Sequence, residues 1–171
     1  MDARVVCFPG RFQPLHNGHA EIIFSLSSRY AKVVVPVTMA QLSHMDRHPL
    51  TGGERYEMMR RFATAERLAN LEIIPLPYDC YLTTWIAFLE SICPRFDIVY
   101  ARNPLMRALF AERGYPLVEP LFDRKISGVM VREQIANGGD WRENVPSSVA
   151  DYLVEQRLIQ RIAVVSLDEN I

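Results

Sequence analysis

Cysteine is scarce in this chain of 171 residues, and the 3 present follow no pattern. Cys7, Cys80 and Cys93 are an odd set at unrelated spacings, without a Cys-x-x-Cys pair or a Cys/His framework. That excludes a disulfide-stapled scaffold and a structural zinc site, and it points to a reduced, cytoplasmic setting. Long apolar runs are missing too. No stretch approaches the ~20 apolar residues of a membrane span, and Asp2 and Arg4 interrupt the opening residues before a signal-type segment can form. No membrane association is expected. A surplus of one charge is also absent: 19 basic against 20 acidic side chains leave a formal net charge of −1, which argues against a nucleic-acid coat protein. Two glycine-rich signatures are lacking. Without Gly-x-x-x-x-Gly-Lys-[Ser/Thr] there is no P-loop for kinase chemistry, and without Gly-x-Gly-x-x-Gly after the first strand there is no dehydrogenase-type turn. No repeat, low-complexity tract or Gly/Ser linker divides residues 1–171, so one domain is expected, with about 159–171 as a tail or an added strand.

What is present is apolar material at two periods. Hydrophobic residues make up 49% of the chain, enough for one independent core. Segments Arg4 to Phe8, Lys32 to Thr38, Leu71 to Leu76 and Asp97 to Ala101 are short β-rich runs, and Leu117 and Val118 suggest a further one. Between and after them helical spacing runs through His19 to Arg29, Glu54 to Leu68, Thr84 to Ile92, Leu105 to Arg113, Val129 to Asn137 and Ser147 to Arg157. Alternation of this kind reads as βαβ units around a parallel sheet. Thr51 and Glu54 are spaced as a capping box, fixing the start of the second helix.

The first strand runs into Pro9-Gly10-Arg11-Phe12-Gln13-Pro14-Leu15-His16-Asn17-Gly18-His19, after which helical spacing begins. In open α/β sheets ligands lie beyond the carboxyl ends of strands, where helix N-termini offer unpaired N–H groups to anions. Gly10 and Gly18 allow close backbone approach or a positive φ, and Pro14 stiffens the loop. His16 and His19 share one face of a first helical turn and can both donate to phosphate oxygens. The structural alternative is that His16 caps the helix while His19 packs beneath the sheet. No third ligand at suitable spacing makes the pair a metal site. A second anion site is readable at Ser127-Gly128, which precedes a helical pattern with Asp123, Arg124 and Lys125 before it and Arg132 after it. Ser127 is a natural N-cap, and the N–H groups behind it face the same kind of ligand.

The run Gly-Arg-Phe-Gln-Pro-Leu-His-Asn-Gly-His resembles the signature of the HxGH nucleotidyltransferase superfamily, and its Arg-Phe-Gln-Pro portion is similar to the archaeal type of nicotinamide mononucleotide adenylyltransferase. Ile126 to Arg132 resembles that superfamily's Ile-Ser-x-x-x-x-Arg element. The likeness continues through Ala40 to His44, Arg47, Thr51 to Arg55, Asn103-Pro104 and Gly139 to Arg142, to about Leu158. It implies a Rossmann-like α/β domain with helices on both faces of a parallel sheet, using ATP and nicotinamide mononucleotide with Mg²⁺, and a homo-oligomer. It also implies that His16, His19, Arg11, Arg47 and Arg132 are catalytic. Gly10, Phe12, Gly18, Asn103, Ser127 and Gly128 would bind ATP and its phosphates, and Trp85 with Thr83 or Thr84 would hold the acceptor base. For Arg47 the alternative is an exposed, solvated side chain; for Trp85 it is the core.

Two positions depart from the family pattern. Val129 stands where a threonine is usual, which removes one hydroxyl contact to phosphate. Leu82 stands where an asparagine usually helps read the carboxamide, and leucine supplies neither donor nor acceptor. The implied chemistry needs no general base, because an acceptor phosphate is already ionised and can attack the α-phosphorus in line as pyrophosphate leaves. Two other readings stay open: the same mechanism with a flavin mononucleotide, phosphopantetheine or phospho-alcohol acceptor, and a nucleotide-binding regulator without chemistry.

Overall fold

The computed structural model describes residues 2–77, 81–121 and 126–167. The apolar runs become β1 (Asp2–Cys7), β2 (Tyr30–Val37), β3 (Leu71–Pro75) and β4 (Ile98–Val99), all parallel in the order β3-β2-β1-β4. Side chains alternate across the sheet. Val6, Phe8, Val33, Val35 and Val37 enter one apolar cluster, whereas Cys7, Val34 and Val99 enter the other. Strands buried on both faces need apolar residues in succession, and Val33 to Val35 supply them.

Helices α1 (Asn17–Arg29) and α2 (Gly52–Ala65) cover the first face together with α5 (Gly128–Ala136), α6 (Ser147–Glu155) and α7 (Leu158–Leu167). Helices α3 (Leu82–Ile92) and α4 (Pro104–Glu112) cover the second. The expected α/β layering is therefore present. The fourth strand is shorter than the sequence suggests, but its ladder continues, since Tyr100 N–H donates to Cys7 O at 2.9 Å. Leu117 makes one parallel bridge to Val99, with Val118 N–H donating to Val99 O at 2.9 Å.

Residues 161–167 differ from expectation: they are neither strand nor tail but part of α7. Leu158 and Ile162, four apart, both enter the core, and Arg161 donates to both carboxylate oxygens of Glu54 at 2.8 and 2.7 Å. Glu54 also completes the Thr51 capping box of α2, accepting Thr51 N–H at 2.8 Å while Thr51 Oγ1 accepts Glu54 N–H at 3.1 Å. Residues 168–171, 78–80 and 122–125 lie outside the described residues, and with them the expectations placed on Asp79, Cys80, Asp123, Arg124 and Lys125.

Strand β1 has β2 on one side and β4 on the other, so the chain leaving β1 and the chain leaving β4 part in opposite directions. That divergence opens a crevice at the carboxyl end of the sheet, the place where such folds bind ligands.

Candidate functional site

A cavity of about 540 Å³ fills this crevice. Its wall brings Gly10 to Gln13, His16 and His19 from the β1–α1 turn together with Ala101 to Asn103 after β4, Arg47 from the β2–α2 loop, and Ile126 to Val129 with Arg132 at α5. Three helices begin here: His16 caps α1, Asn103 caps α4 and Ser127 caps α5. Their N-terminal N–H groups and four arginines, Arg11, Arg47, Arg102 and Arg132, face a wall that has no carboxylate among the described residues. Such a pocket concentrates positive potential in a chain of net charge −1.

The two histidines make a reciprocal capping box. His16 Nδ1 accepts His19 N–H at 3.3 Å, and His19 Nδ1 accepts His16 N–H at 3.4 Å. The capping alternative therefore holds for His16, and because both rings cap through Nδ1 the phosphate-donating reading is left to the Nε2 atoms. Because each Nδ1 is an acceptor, each neutral ring carries its proton on Nε2 and remains a donor. The rings stack with centroids 3.6 Å apart. Burial, and then the positive charge of Arg102, lower the His16 pKa to about 4. Burial, His16 and Arg102 hold His19 well below the ordinary imidazole value. The pair is neutral at physiological pH.

Neither Gly10 nor Gly18 adopts a positive φ; they make room instead. A Cβ on Gly10 would sit 2.7 Å from the Phe12 ring, and one on Gly18 would sit 3.2 Å from His16 Nδ1. It is Phe12 that takes the left-handed conformation, at φ 49°. A non-glycine residue held there costs of order 1 kcal/mol or more, and such outliers gather at functional sites. Phe12 is buried, with its ring edge-on to His19 at 4.8 Å, so it supports the imidazole from below.

Arg132 is buried rather than solvated. Its Nη1 donates to Gln13 O at 3.0 Å, its Nε has no partner, and burial lowers its pKa. Gly128 is needed where α5 meets the first loop, since a Cβ would lie 2.9 Å from the same Gln13 carbonyl. Ser127 Oγ accepts Met130 N–H at 3.2 Å, leaving its own proton for a ligand. Arg47 is exposed at the tip of a turn closed by paired Met45–His48 backbone bonds of 3.3 and 2.9 Å, which present it to the cavity.

Trp85, Thr83 and Thr84 are not brought to this wall. Trp85 shares the buried stripe of α3 with Ile86 and Leu89, and its ring packs edge-on against Phe110 at 5.7 Å. An apolar helix face turned to the sheet takes the tryptophan with it. Thr83 and Thr84 are exposed, and Thr84 Oγ1 donates to Tyr81 O at 3.1 Å. Arg102 was not anticipated. Its position immediately after β4, beside Asn103, was the available signal, because the carboxyl end of a strand next to the switch point is where a ligand lies.

A parallel α/β sheet whose switch-point crevice joins three helix N-termini, a neutral donor pair and clustered arginines is built to hold a nucleoside polyphosphate. Comparison with known proteins carries this further. Residues 7–134 match the family described as cytidylyltransferase-like. A nicotinamide-nucleotide adenylyltransferase of Pyrococcus furiosus is 37% identical over 91% of this chain and 85% of its own length. That of Thermoplasma acidophilum is 38% identical over 95% and 92% respectively. The chain therefore belongs to the cytidylyltransferase-like nucleotidyltransferases, in the group formed by these archaeal enzymes. The fold also matches a solved bifunctional NMN adenylyltransferase/ADP-ribose pyrophosphatase of Francisella tularensis, complexed with AMP and a manganese ion. Its TM-score is 0.76 at 15% identity, and the chain spans 52% of that protein.

Proposed function

We propose that this protein transfers the adenylyl group of ATP to nicotinamide mononucleotide, giving NAD and pyrophosphate. The observation that carries the reading is the convergence of His16, His19, Arg11, Arg47, Arg132 and the Ser127 cap on one cavity, without a carboxylate among its described residues. The relatives' names supply the acceptor. The acceptor phosphate attacks the α-phosphorus, the bond to the β-phosphate bridging oxygen breaks, and pyrophosphate leaves with the electron pair. No base and no covalent enzyme intermediate is needed.

His16 and His19 donate through Nε2 to triphosphate oxygens as charge develops, Arg11 and Arg47 bridge donor and acceptor phosphates, and Arg132 with Ser127 and the Gly128 N–H holds the departing pyrophosphate. Among the described residues the wall offers no carboxylate, and none of them form a group of three or more metal-ligating side chains. A divalent cation such as Mg²⁺ would accordingly enter on phosphate oxygens and water. A cytoplasmic homo-oligomer is part of the same proposal, supported by the resemblance and checked by light scattering.

A second reading changes only the acceptor. It is favoured by Trp85 lying in the core and by Leu82 being exposed at the start of α3, which leave no amide reader there. Pyrophosphate release from ATP with a panel of nicotinamide mononucleotide, its deamidated form, flavin mononucleotide and phosphopantetheine separates the two. Release with another acceptor alone overturns the substrate; ATP binding with no release from any overturns the chemistry. His19→Ala removes one oriented donor and should lower kcat by about 10²–10³, while circular dichroism stays native; near-normal kcat would refute the role.

A further inference from the structure

Arg55 is the least expected charge in the molecule. It lies in the first turn of α2, where the helix dipole disfavours a cation, and it is completely buried. Its donors go to carbonyls alone: Nη1 to Arg11 O at 2.8 Å and Thr38 O at 2.7 Å, Nη2 to Met39 O at 2.8 Å, and Nε to Thr51 O at 3.3 Å. The adjacent Glu54 is taken by Arg161 and the Thr51 cap. Burial, and then the like charge of Arg11, lower the Arg55 pKa to about 10. Burying a cation against another cation is costly, and an apolar side chain would be the cheaper way to fill the space.

What the cost secures is geometry. The Arg11 carbonyl belongs to the peptide that leads into Phe12, which has a left-handed φ of 49° and packs its ring against His19. Thr38 and Met39, the latter at φ 54°, begin the loop that carries Arg47. One planar guanidinium therefore joins the ends of β1 and β2 directly under the cavity. Gln13 ties the same two loops through Leu50 at 2.9 and 3.0 Å, but it is neutral and its amide bonds go to Leu50.

We propose that Arg55 is a positioning residue for the transfer reaction: it fixes the Arg11 peptide, and its like charge directs the Arg11 guanidinium away from the core toward the phosphates. The inference rests on the adenylyl-transfer reading. Arg11 bridges donor and acceptor most tightly in the transition state, so loss of its support lowers kcat and leaves ATP binding to Arg47, Arg132 and the helix N-termini.

The test is a double-mutant cycle with Arg11→Ala. Arg55→Lys keeps the charge and removes the fork. It should lower kcat by about 10-fold or more with KM for ATP within about 3-fold, and in the Arg11→Ala background it should change kcat by less than about 3-fold, since both lesions act through one group. A kcat unchanged by Arg55→Lys, or a loss that multiplies fully with that of Arg11→Ala, overturns the inference. If Arg55→Lys does not fold, Arg55→Gln enters the same cycle, and failure of both to fold even with ATP assigns Arg55 to folding alone and overturns the positioning role. Wild-type protein that releases no pyrophosphate fails the functional reading, and the inference falls with it. A normal wild type with additive variants fails only the inference.

Discussion

Acid should unfold the ligand-free protein largely through its histidines, and His16 lets the amount be worked out. In the fold its imidazole titrates at about 4 against an ordinary 6.5, because it is buried and stands near Arg102. Between those values the unfolded chain binds the proton and the folded chain does not, so stability is complete above about pH 6.5 and falls as the pH drops toward 4. Near pH 5 the unfolded imidazole is almost wholly protonated and the folded one almost wholly neutral. The difference amounts to about 2 kcal/mol of stability lost from His16 alone between about pH 7 and pH 5. His19 and His48, both lowered chiefly by burial, act in the same direction. The perturbation that isolates His16 is His16→Asn, which retains a good N-cap but does not titrate. Urea denaturation followed by circular dichroism should show wild type losing about 2 kcal/mol more than the variant over that interval. Parallel losses in the two proteins would refute the assignment of a neutral, buried His16.

Val129 lines the cavity near the start of α5 and is half exposed, so Val129→Thr should add a hydroxyl donor and lower KM for ATP by about 2–10-fold, as one net hydrogen bond allows; an unchanged or raised KM in steady-state kinetics refutes it. Gly128→Ala puts a Cβ 2.9 Å from the Gln13 carbonyl that Arg132 also engages, and should cost about 1–3 kcal/mol of stability or ATP affinity, read by denaturation and calorimetry. Gln13→Leu leaves the buried Leu50 N–H and C=O without their side-chain partner and should cost about 2–4 kcal/mol in urea denaturation. A loss below about 0.5 kcal/mol would show that the two loops are held together elsewhere.

Features written in neighbouring residues were legible in the sequence. The Thr51–Glu54 box and the strands built on Val33 to Val35 depend on spacing alone. So does the meeting of the two anion motifs, once a parallel sheet is granted, because both follow the rule that ligands sit at strand ends. Features set by which segments meet were not legible. Helix α7 was missed because its stripe is completed by α5 and α6, elements distant in sequence. Trp85 was placed in the site by resemblance, but its helix carries Ile86 and Leu89 on the same buried face. Arg55 gave no sign of its role, since the carbonyls it joins lie 16, 17 and 44 residues away in sequence.

The overall charge of −1 conceals how unevenly charge is placed. Acidic side chains pair with basic ones over the outer surface, as in Asp2–Arg4, Glu57–Arg60 and Glu90–Arg113. Arg11, Arg102 and Arg132 instead line a cavity with no carboxylate among its described residues, and Arg55 is buried. These cations also act on one another and on the imidazoles: after burial, Arg11 lowers the pKa of Arg55 and Arg102 those of His16 and His19, while at Arg132 the carboxylate of Asp46 outweighs the lowering by Arg11. A polyphosphate would relieve these repulsions together, because its charge would enter where they converge. Burial, more than this field, keeps both imidazoles neutral, and the field is what a triphosphate would neutralise on binding. A site built in this way needs no general base; the donors are in place before the substrate arrives, and the acceptor phosphate brings its own nucleophile.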